Sequence, residues 1–497
     1  MREFRTRLAG LAPAAPPAAP ADERALLAAA VERDLVELEV LRPFQRDPGA
    51  YLTLLATSVE TALLRSSGSP CARLQRAARR LAAAPEVLRA ARLNLKDPPR
   101  ILVELAIERG AGVLRFLREA VPRTTAGCRS TRLQADLAQA DTTAVRAIEG
   151  FLDYLEQDLL PVSRGEPAIG PDACRRLLRA ELAADVPPIE TLLEDATRLV
   201  ARRRAALDSL ATLVASGGAR DTSASGRAEE VGRVALIADG VERIERFLIA
   251  REVVTLRTPR AVLKVREAPP FARSSEVSLW DAGGPRGPRA PAAWLEVGAF
   301  DPTRRTGPDR RDADLAVAHM GLPGRHLRAL ALRDQPSRLR RALLETWPGA
   351  DWGRYCEQMV LDEGLGGDDP RYRAAGNARA LRDAGRALAA LALHAGAMSP
   401  AEARRMLEER CLFDPAEAER EARWAAADPA LMSYTLGAQR LRELQDEARR
   451  RLGPRYRTRA FHDAVLRCGA SPHGAVRDRL WSELAEATGA PAVGVEP

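Results

Sequence analysis

Apolar residues recur at helical spacing along most of the chain. Apolar side chains at i, i+3, i+4 and i+7, with charged residues between them, mark one face of an amphipathic helix. This pattern occupies segments 22–46, 48–66, 98–120, 131–160, 187–213 and 226–251. In segment 131–160, the aligned apolar residues are Val145, Ile148, Phe151, Leu152, Leu155 and Leu159. A stripe of this kind is typical of core packing, so the pattern predicts a mainly α-helical protein.

The hydrophobic pattern changes between residues 252 and 300. Short β-rich runs, separated by proline and glycine, read VVTLRTP, AVLKVRE, VSLW and AWLEVG. Such runs predict a small sheet. Helical spacing then resumes and continues to about residue 488. We therefore predict a disordered or extended lead over 1–21, an N-terminal helical region over 22–251, a β-rich insert over 252–300 and a C-terminal helical region over 301–497.

Composition narrows the class of protein. Hydrophobic residues make up 46% of the 497 residues and charged residues 29%, which is typical of a soluble globular chain. The net charge is +8, but only Lys96 and Lys264 are lysines, and aromatic residues make up only 4%. No basic run is interleaved with aromatic side chains for stacking on bases, so nucleic-acid binding is disfavoured.

The cysteines and the N-terminus indicate a compartment. The six cysteines form no CxxC pair, which predicts buried or free thiols in a cytosolic protein. The first 23 residues contain no apolar run typical of a secretion signal. No uncharged apolar stretch approaches the ~20 residues that a membrane span requires. We therefore expect a cytoplasmic protein without a membrane partner.

One short motif, VAHMGLPGRHL at 317–327, contains two of the five histidines. A helical zinc peptidase places histidines at i and i+4 around a glutamate that serves as general base. Here Pro323 follows His319 at i+4, and Met320 occupies the position of the base. His326 lies at i+7, roughly 10 Å further along a regular helix. A break at Pro323 and Gly324 could bring it back, so the spacing alone leaves a metal site open.

Several longer segments carry a resemblance to a known family. They read LNLKDPPRILVELAIERGAGVLRFL, FLDYLEQDLLPVSRGEPAIGPDACRRLLR, VVTLRTPRAVLKVREAPPFAR, YCEQM, MSYTLGAQRLRELQDEA and LGPRYRTRAFHDAVLRCGASP. In this order they resemble domain-of-unknown-function family 885 (DUF885), bacterial proteins related to helical zinc peptidases such as the Taq-type carboxypeptidases. The resemblance covers about residues 30–487. It implies a large helical, zincin-related and peptidase-like body with a small β-sheet insert and a central cleft.

The resemblance also assigns the histidine motif position by position. The family reads HExxPGHH, and His319, Pro323, Gly324 and His326 retain its first histidine, its proline, its glycine and its last histidine. Met320 replaces the general base. The remaining substitution in this motif is Arg325, at the first histidine of the pair.

Three further family motifs are altered as well. In EGWxLYxEQ, the first glutamate resembles the third zinc ligand, and Ala350 stands in its place. Asp351 is one residue away, which rotates its side chain by about 100° on a helix. The family's DTGxH and SYKxGQ segments leave His394, Tyr434 and Gln439 as candidate cleft residues.

The substitutions predict a degenerate zinc site. Loss of a general base alone typically costs 10²–10⁴-fold in rate, and Arg325 adds a positive charge beside any dication. We therefore predict a catalytically inactive or impaired homologue that binds a small peptide-like ligand or a partner. It would need no cofactor, and zinc would bind at His319 and His326 only if the site survives.

Other interpretations stay open. One is an active hydrolase or transferase that uses a remodelled site around His319 and His326. Another is a purely structural protein with a closed cleft, in which both histidines are ordinary core or surface residues. A nucleophilic pair of Cys356 with either histidine is a further alternative. His462 matches the family too, where a hydrogen bond within a helix is the expected role.

Overall fold

The segments with helical spacing form helices over nearly the whole chain. The structure is a computed structural model that describes residues 1–10, 19–65, 68–216, 230–256, 263–268, 277–281, 293–298, 309–345, 350–469 and 473–488. The N-terminal helices are α1 (Arg2–Ala9), α2 (Ala19–Val36), α3 (Pro43–Arg46), α4 (Pro48–Glu60), α5 (Pro70–Ala82), α6 (Ala84–Asn94), α7 (Arg100–Arg115), α8 (Val121–Arg123), α9 (Thr131–Tyr154), α10 (Pro171–Leu182), α11 (Ile189–Ser216) and α12 (Glu230–Ala250).

A three-stranded sheet separates these helices from the C-terminal ones. Its strands are β1 (Leu263–Glu267), β2 (Val277–Asp281) and β3 (Ala293–Val297). The helices after the sheet are α13 (Arg310–Met320), α14 (Arg325–Arg333), α15 (Arg338–Glu345), α16 (Ala350–Asp362), α17 (Pro370–His394), α18 (Pro400–Arg410), α19 (Pro415–Ala427), α20 (Leu431–Leu452), α21 (Thr458–Arg467) and α22 (His473–Thr488). The prediction of a mainly α protein with a small sheet is confirmed.

The sheet has the order β1, β3, β2. The central strand β3 pairs in parallel with β1 and antiparallel with β2. Leu295 and Val297 on β3 are buried and join the core formed by α12, α13 and α16. The side chains of Leu263 and Leu295 also face Gly321, directly after α13. The insert therefore supports the end of the helix that carries His319.

Buried apolar residues form three clusters within the described part of the chain. One lies among α4 to α9. A second joins α10 and α11 to α17, α18 and α19. The third joins α12 and the sheet to α13, α14, α16, α20, α21 and α22. The predicted N-terminal region over 22–251 contributes to all three, because α10, α11 and α12 pack on C-terminal helices. Among the described residues, no helix combines the length and apolar character needed to cross a bilayer.

The start of the chain differs from the predicted disordered or extended lead. Residues 2–9 form α1, which Arg2 and Arg5 attach to Glu39 and Glu32 through ion pairs of 2.6 and 3.2 Å. Leu8 is buried beneath this helix. Contacts with residues about 30 positions away thus order a segment that has little apolar character of its own. The proline-rich part of the lead, at 11–18, lies outside the described residues.

The cysteine prediction is wrong for one pair. Cys71, near the start of α5, forms a disulfide with Cys128. The pair is 57 residues apart in sequence, so no local spacing could indicate it. The remaining four cysteines are buried free thiols, as predicted: Cys174, Cys356, Cys411 and Cys468.

Candidate functional site

His319 lies in the last turn of α13 and is buried. The helix is capped at its start by Asp309, whose carboxylate accepts the backbone N–H of Asp312 at 2.9 Å. The other end of the helix points His319 at α16, where its Nδ1 lies 2.5 Å from Oε1 of Glu357. The imidazole therefore contacts a carboxylate from a helix that is 38 residues away in sequence.

Arg379 on α17 completes a cluster of charged groups around Glu357. Its Nε donates to Oε2 at 2.6 Å and its Nη2 to Oε1 at 3.1 Å, which is a two-pronged contact. We call His319, Glu357 and Arg379 the His–Glu–Arg cluster. It joins three helices of the core through one buried carboxylate.

Burial and the neighbouring charges determine which groups of this cluster are ionised. Burial by itself would raise the pKa of Glu357, but the Arg379 guanidinium and the hydrogen bonds from His319 and Arg379 hold that pKa well below its usual range. Burial lowers the pKa of His319, and this effect outweighs the attraction of Glu357. At neutral pH the cluster is therefore an ionised Glu357–Arg379 pair with a neutral His319, whose Nδ1–H donates to the carboxylate.

A glycine on α16 lets the imidazole approach this closely. A Cβ added to Gly353 would lie 2.5 Å from Cδ2 and 2.7 Å from Nε2 of His319. Real Cβ atoms do not approach other atoms so closely, so any larger residue would push α13 and α16 apart. The Nε2 edge of the ring thus packs on the backbone of α16, while Nδ1 is hydrogen-bonded to Glu357.

The helix carrying the histidine motif is broken, as Pro323 and Gly324 predict. α13 ends at Met320 and α14 begins at Arg325. The turn between them is held by the Trp352 indole, whose Nε1 donates to the Pro323 carbonyl at 2.9 Å. The two histidines consequently lie on separate helices, with His326 buried near the start of α14.

The residues at this site do not fit a zinc ion. Met320 contributes a thioether, which the Arg325 guanidinium contacts at 3.8 Å. The described ranges contain no group of three or more histidine, cysteine, aspartate or glutamate residues able to hold a metal ion. Ala350 begins α16, and its side chain lies outside the described residues; alanine has no ligand atom at all. The donor set expected from the resemblance is therefore incomplete.

Asp351 is turned away from the His–Glu–Arg cluster. A Cβ added to Gly437 on α20 would lie 2.6 Å from the Asp351 Cβ, so the aspartate packs on that helix. Its Oδ1 accepts the Trp352 backbone N–H at 2.8 Å. Burial raises the pKa of Asp351, and Arg328 and Arg325 oppose the rise. Among the described residues, Asp351 has no hydrogen bond or ion pair with the His–Glu–Arg cluster, so it does not stand in for the carboxylate ligand that the resemblance implies.

The candidate cleft residues do not lie together. Gln439 on α20 lines a cavity beside Glu357. His394 is at the far end of α17, 15 residues beyond Arg379 and therefore roughly 22 Å away along the helix axis. Its Nε2–H donates to the Ala425 carbonyl at 3.0 Å, and burial lowers its pKa to about 4. Tyr434 is on α20, but its side chain lies outside the described residues.

The cavity beside the His–Glu–Arg cluster has a volume of about 480 Å³ and is bounded by α11, α16, α17 and α20. This size is typical of sites for small molecules. Leu199, Leu361 and Ala438 form apolar parts of its wall. Its charged and amide side chains include Arg202, Arg203, Arg354, Glu357, Asp383, Gln439 and Arg442.

Sequence reasoning missed Glu357 and Arg379. Glu357 follows position 350 by seven residues, so two helical turns return it to the face on which the resemblance implies a zinc ligand. The signal was available, because a carboxylate on that face can reach the same histidine. Arg379 gave no such signal, since its approach depends on how α16 and α17 pack.

The remaining candidates have structural contacts. Cys356 is fully buried and burial raises its thiol pKa well above the usual value, so it is not a thiolate nucleophile. His462 contacts other helices rather than its own: its Nδ1–H donates to the Val253 carbonyl at 2.8 Å and its Nε2 accepts the Tyr355 hydroxyl at 2.8 Å. Burial lowers the pKa of His462 to about 4.

Comparison with known proteins gives a family and a fold. The family model described as "Bacterial protein of unknown function (DUF885)" matches residues 1–480. None of the curated proteins matches the chain. Two solved structures share its fold. One, "a putative lipoprotein of unknown function from Shewanella oneidensis", has a TM-score of 0.74 at 18% identity, over 96% of this chain and 90% of that one. The other, "the putative lipoprotein from Colwellia psychrerythraea", has a TM-score of 0.79 at 16% identity, over 97% and 90%.

Proposed function

The chain belongs to the DUF885 family of bacterial proteins of unknown function, and from that premise we propose that it is a non-catalytic member that binds a small ligand without zinc. The observation that carries this proposal is that His319 Nε2 packs on Gly353 of α16, and that the described ranges contain no group of three side chains able to hold a metal ion. In a helical zinc peptidase, one ring nitrogen of this histidine would bind the metal and the other would bond a supporting carboxylate. Here Glu357 contacts Nδ1, but the second ring nitrogen faces helix backbone.

The cavity beside the cluster supports a binding function. It shares Glu357 with the cluster, and Gln439, one of the candidate cleft residues, with the last family motif. Its apolar wall and convergent polar groups are typical of ligand sites. A peptide-like or other small ligand fits its volume of about 480 Å³.

Metal content separates this proposal from an active enzyme. The purified protein would be dialysed first against zinc chloride and then against buffer, and its metal would be measured by plasma mass spectrometry. We expect far less than one zinc per chain, with no change in the His319→Ala variant. One zinc per chain that is lost in His319→Ala would overturn the proposal in favour of a hydrolase or transferase with a remodelled site.

A second measurement tests the cavity. Dipeptides and small organic acids would be screened by thermal shift against the wild type, Ala438→Trp and Ala438→Ser. The tryptophan fills the cavity, whereas the serine keeps its volume and serves as the matched control. Ligands of the cavity should bind the wild type and Ala438→Ser but should not bind Ala438→Trp. Equal binding to Ala438→Trp would show that the ligand site lies elsewhere.

An oxidising compartment is part of the proposal, in place of the cytoplasm that the cysteine pattern predicts. The Cys71–Cys128 disulfide supports it, because disulfides persist mainly outside the reducing cytosol. The name lipoprotein given to both structural neighbours is compatible with it. Cells would be lysed directly into denaturant that contains an alkylating reagent and no reductant, and the alkylated cysteines would be counted by mass spectrometry. Four reactive thiols of six are expected; six would return the protein to the cytoplasm.

A further inference from the structure

The cavity beside the His–Glu–Arg cluster carries more positive than negative side chains. Two carboxylates line it, and both already have arginine partners. Asp383 pairs with Arg354 and with Arg386, the latter at 3.0 Å. Glu357 pairs with Arg379 outside the lining. Neither carboxylate is therefore available to balance a further positive charge in the cavity.

Three other lining arginines lack a carboxylate partner. Arg203 donates from Nη1 only to amide oxygens, at 3.1 Å to Asn377 and 3.5 Å to Gln358. Arg202 and Arg442 form no ion pair with any residue in the described ranges. Burial lowers the pKa of Arg203, the charge of Arg442 lowers it further, Asp362 opposes this, and Arg202 adds a smaller lowering effect. All three arginines line the same cavity.

A second cavity shows how arginines are balanced elsewhere in the same molecule. This larger space of about 690 Å³ is lined by α12, α13 and α17 and also contains several arginines. There, Arg243 binds Asp314 at 2.7 Å and Arg371 binds Asp369 at 2.8 Å. Four of its five arginines lie within 4.0 Å of an aspartate, while Arg246 donates to the Glu242 carbonyl at 3.3 Å. Among the described residues, three arginines without a carboxylate partner line the smaller cavity, against one in the larger.

We propose that Arg202, Arg203 and Arg442 bind the anionic group of a small ligand, a carboxylate or a phosphate, whose apolar part lies on Leu199, Leu361 and Ala438. Planar guanidinium groups bind such oxygen anions through paired hydrogen bonds. The ligand supplies the negative charge that the protein does not place there. This assignment rests on the proposed function, since it names the ligand class for the same cavity.

Two anions and a neutral analogue test the assignment. Isocaproate, inorganic phosphate and isocaproamide would be titrated by thermal shift at constant ionic strength, adjusted with sodium chloride. We expect a saturable rise in melting temperature with at least one anion and none with the amide. The stronger anion identifies the ligand group. A response to the amide equal to that of isocaproate, or no saturable response to either anion, would overturn the proposal.

Arginine variants locate the response. Arg203→Gln and Arg442→Gln should each weaken the apparent affinity about tenfold or more, as expected for loss of a charged hydrogen bond. Arg204→Gln is the matched control, because Arg204 is the next residue on α11 and pairs with Asp208 outside the cavity. Unchanged affinity in both Arg203→Gln and Arg442→Gln would refute the assignment.

The outcomes also separate the two proposals. Stoichiometric zinc that depends on His319 would overturn the non-catalytic function, while an anion response that depends on Arg203 and Arg442 would still stand. The protein could instead lack zinc and bind cavity ligands that Ala438→Trp excludes, yet give no response to anions. That combination would support the proposed binding function and contradict only the anionic ligand class.

Discussion

Removal of Arg379 should destabilise the protein far more than removal of an exposed arginine on the same helix. The Arg379→Gln change leaves the Glu357 carboxylate buried beside a neutral histidine. Loss of one partner of a buried ion pair typically costs about 3–5 kcal/mol. The Glu357 side chain is only 9% exposed, but that of Arg379 is 33% exposed. Because solvent screens the pair on that side, we expect a loss of about 2–3 kcal/mol.

The assay is urea unfolding at pH 7, followed by circular dichroism. Arg373→Gln is the control: Arg373 is exposed on α17, and such a surface change should alter the free energy of unfolding by less than about 0.5 kcal/mol. The double variant Arg379→Gln with Glu357→Gln removes both charges and should recover at least ~1 kcal/mol relative to Arg379→Gln alone. A loss under ~0.5 kcal/mol for Arg379→Gln, or no recovery in the double variant, would refute the account of the cluster.

Two further predictions concern the packing and titration of buried histidines. Gly353→Ala should destabilise the protein by about 1–3 kcal/mol in thermal unfolding, because the added Cβ collides with the His319 ring. The control is Gly112→Ala, which should not destabilise the protein because nothing lies within 4 Å of the added Cβ. His394 and His462 have pKa values of about 4 when folded and about 6.5 when unfolded. The unfolded chain therefore binds more protons between these values, so their stability contribution is complete above about pH 6.5 and is lost as the pH falls towards 4. Urea unfolding over this pH range should show a smaller loss of unfolding free energy in His462→Gln than in the wild type. An equal loss in both proteins would contradict the lowered pKa of His462.

Local features of the sequence were sufficient for some elements of the site. Proline and glycine at 323–324 cannot continue a regular helix, so the end of α13 and the start of α14 followed from two residues. Helical spacing likewise predicted the long apolar faces that form the three cores. These features depend on neighbours within one or two turns, which is the range that a sequence pattern reports.

Contacts between distant segments were not accessible in this way. The partner of His319 is 38 residues away, and the partner of Glu357 is a further 22 residues along the chain. Each contact depends on how α13, α16 and α17 pack, and on a glycine at 353 whose role appears only when the two helices are placed together. The disulfide between Cys71 and Cys128 has the same origin, since it depends on the packing of the N-terminal helices.

The charges around the histidine motif disfavour the zinc ion that the resemblance implies for this motif. Glu357 is balanced by Arg379, whereas burial raises the pKa of Asp351 and the charges of Arg328 and Arg325 only partly oppose this rise. A dication in this region would have to displace a guanidinium from a carboxylate or lie beside Arg325 without an added negative charge. Either arrangement is costly at low dielectric, because an unpaired charge inside a protein loses several kcal/mol of solvation. Arginine at 325 thus suits a site whose positive charge comes from the protein itself, and Met320→Glu alone would not create a metal site.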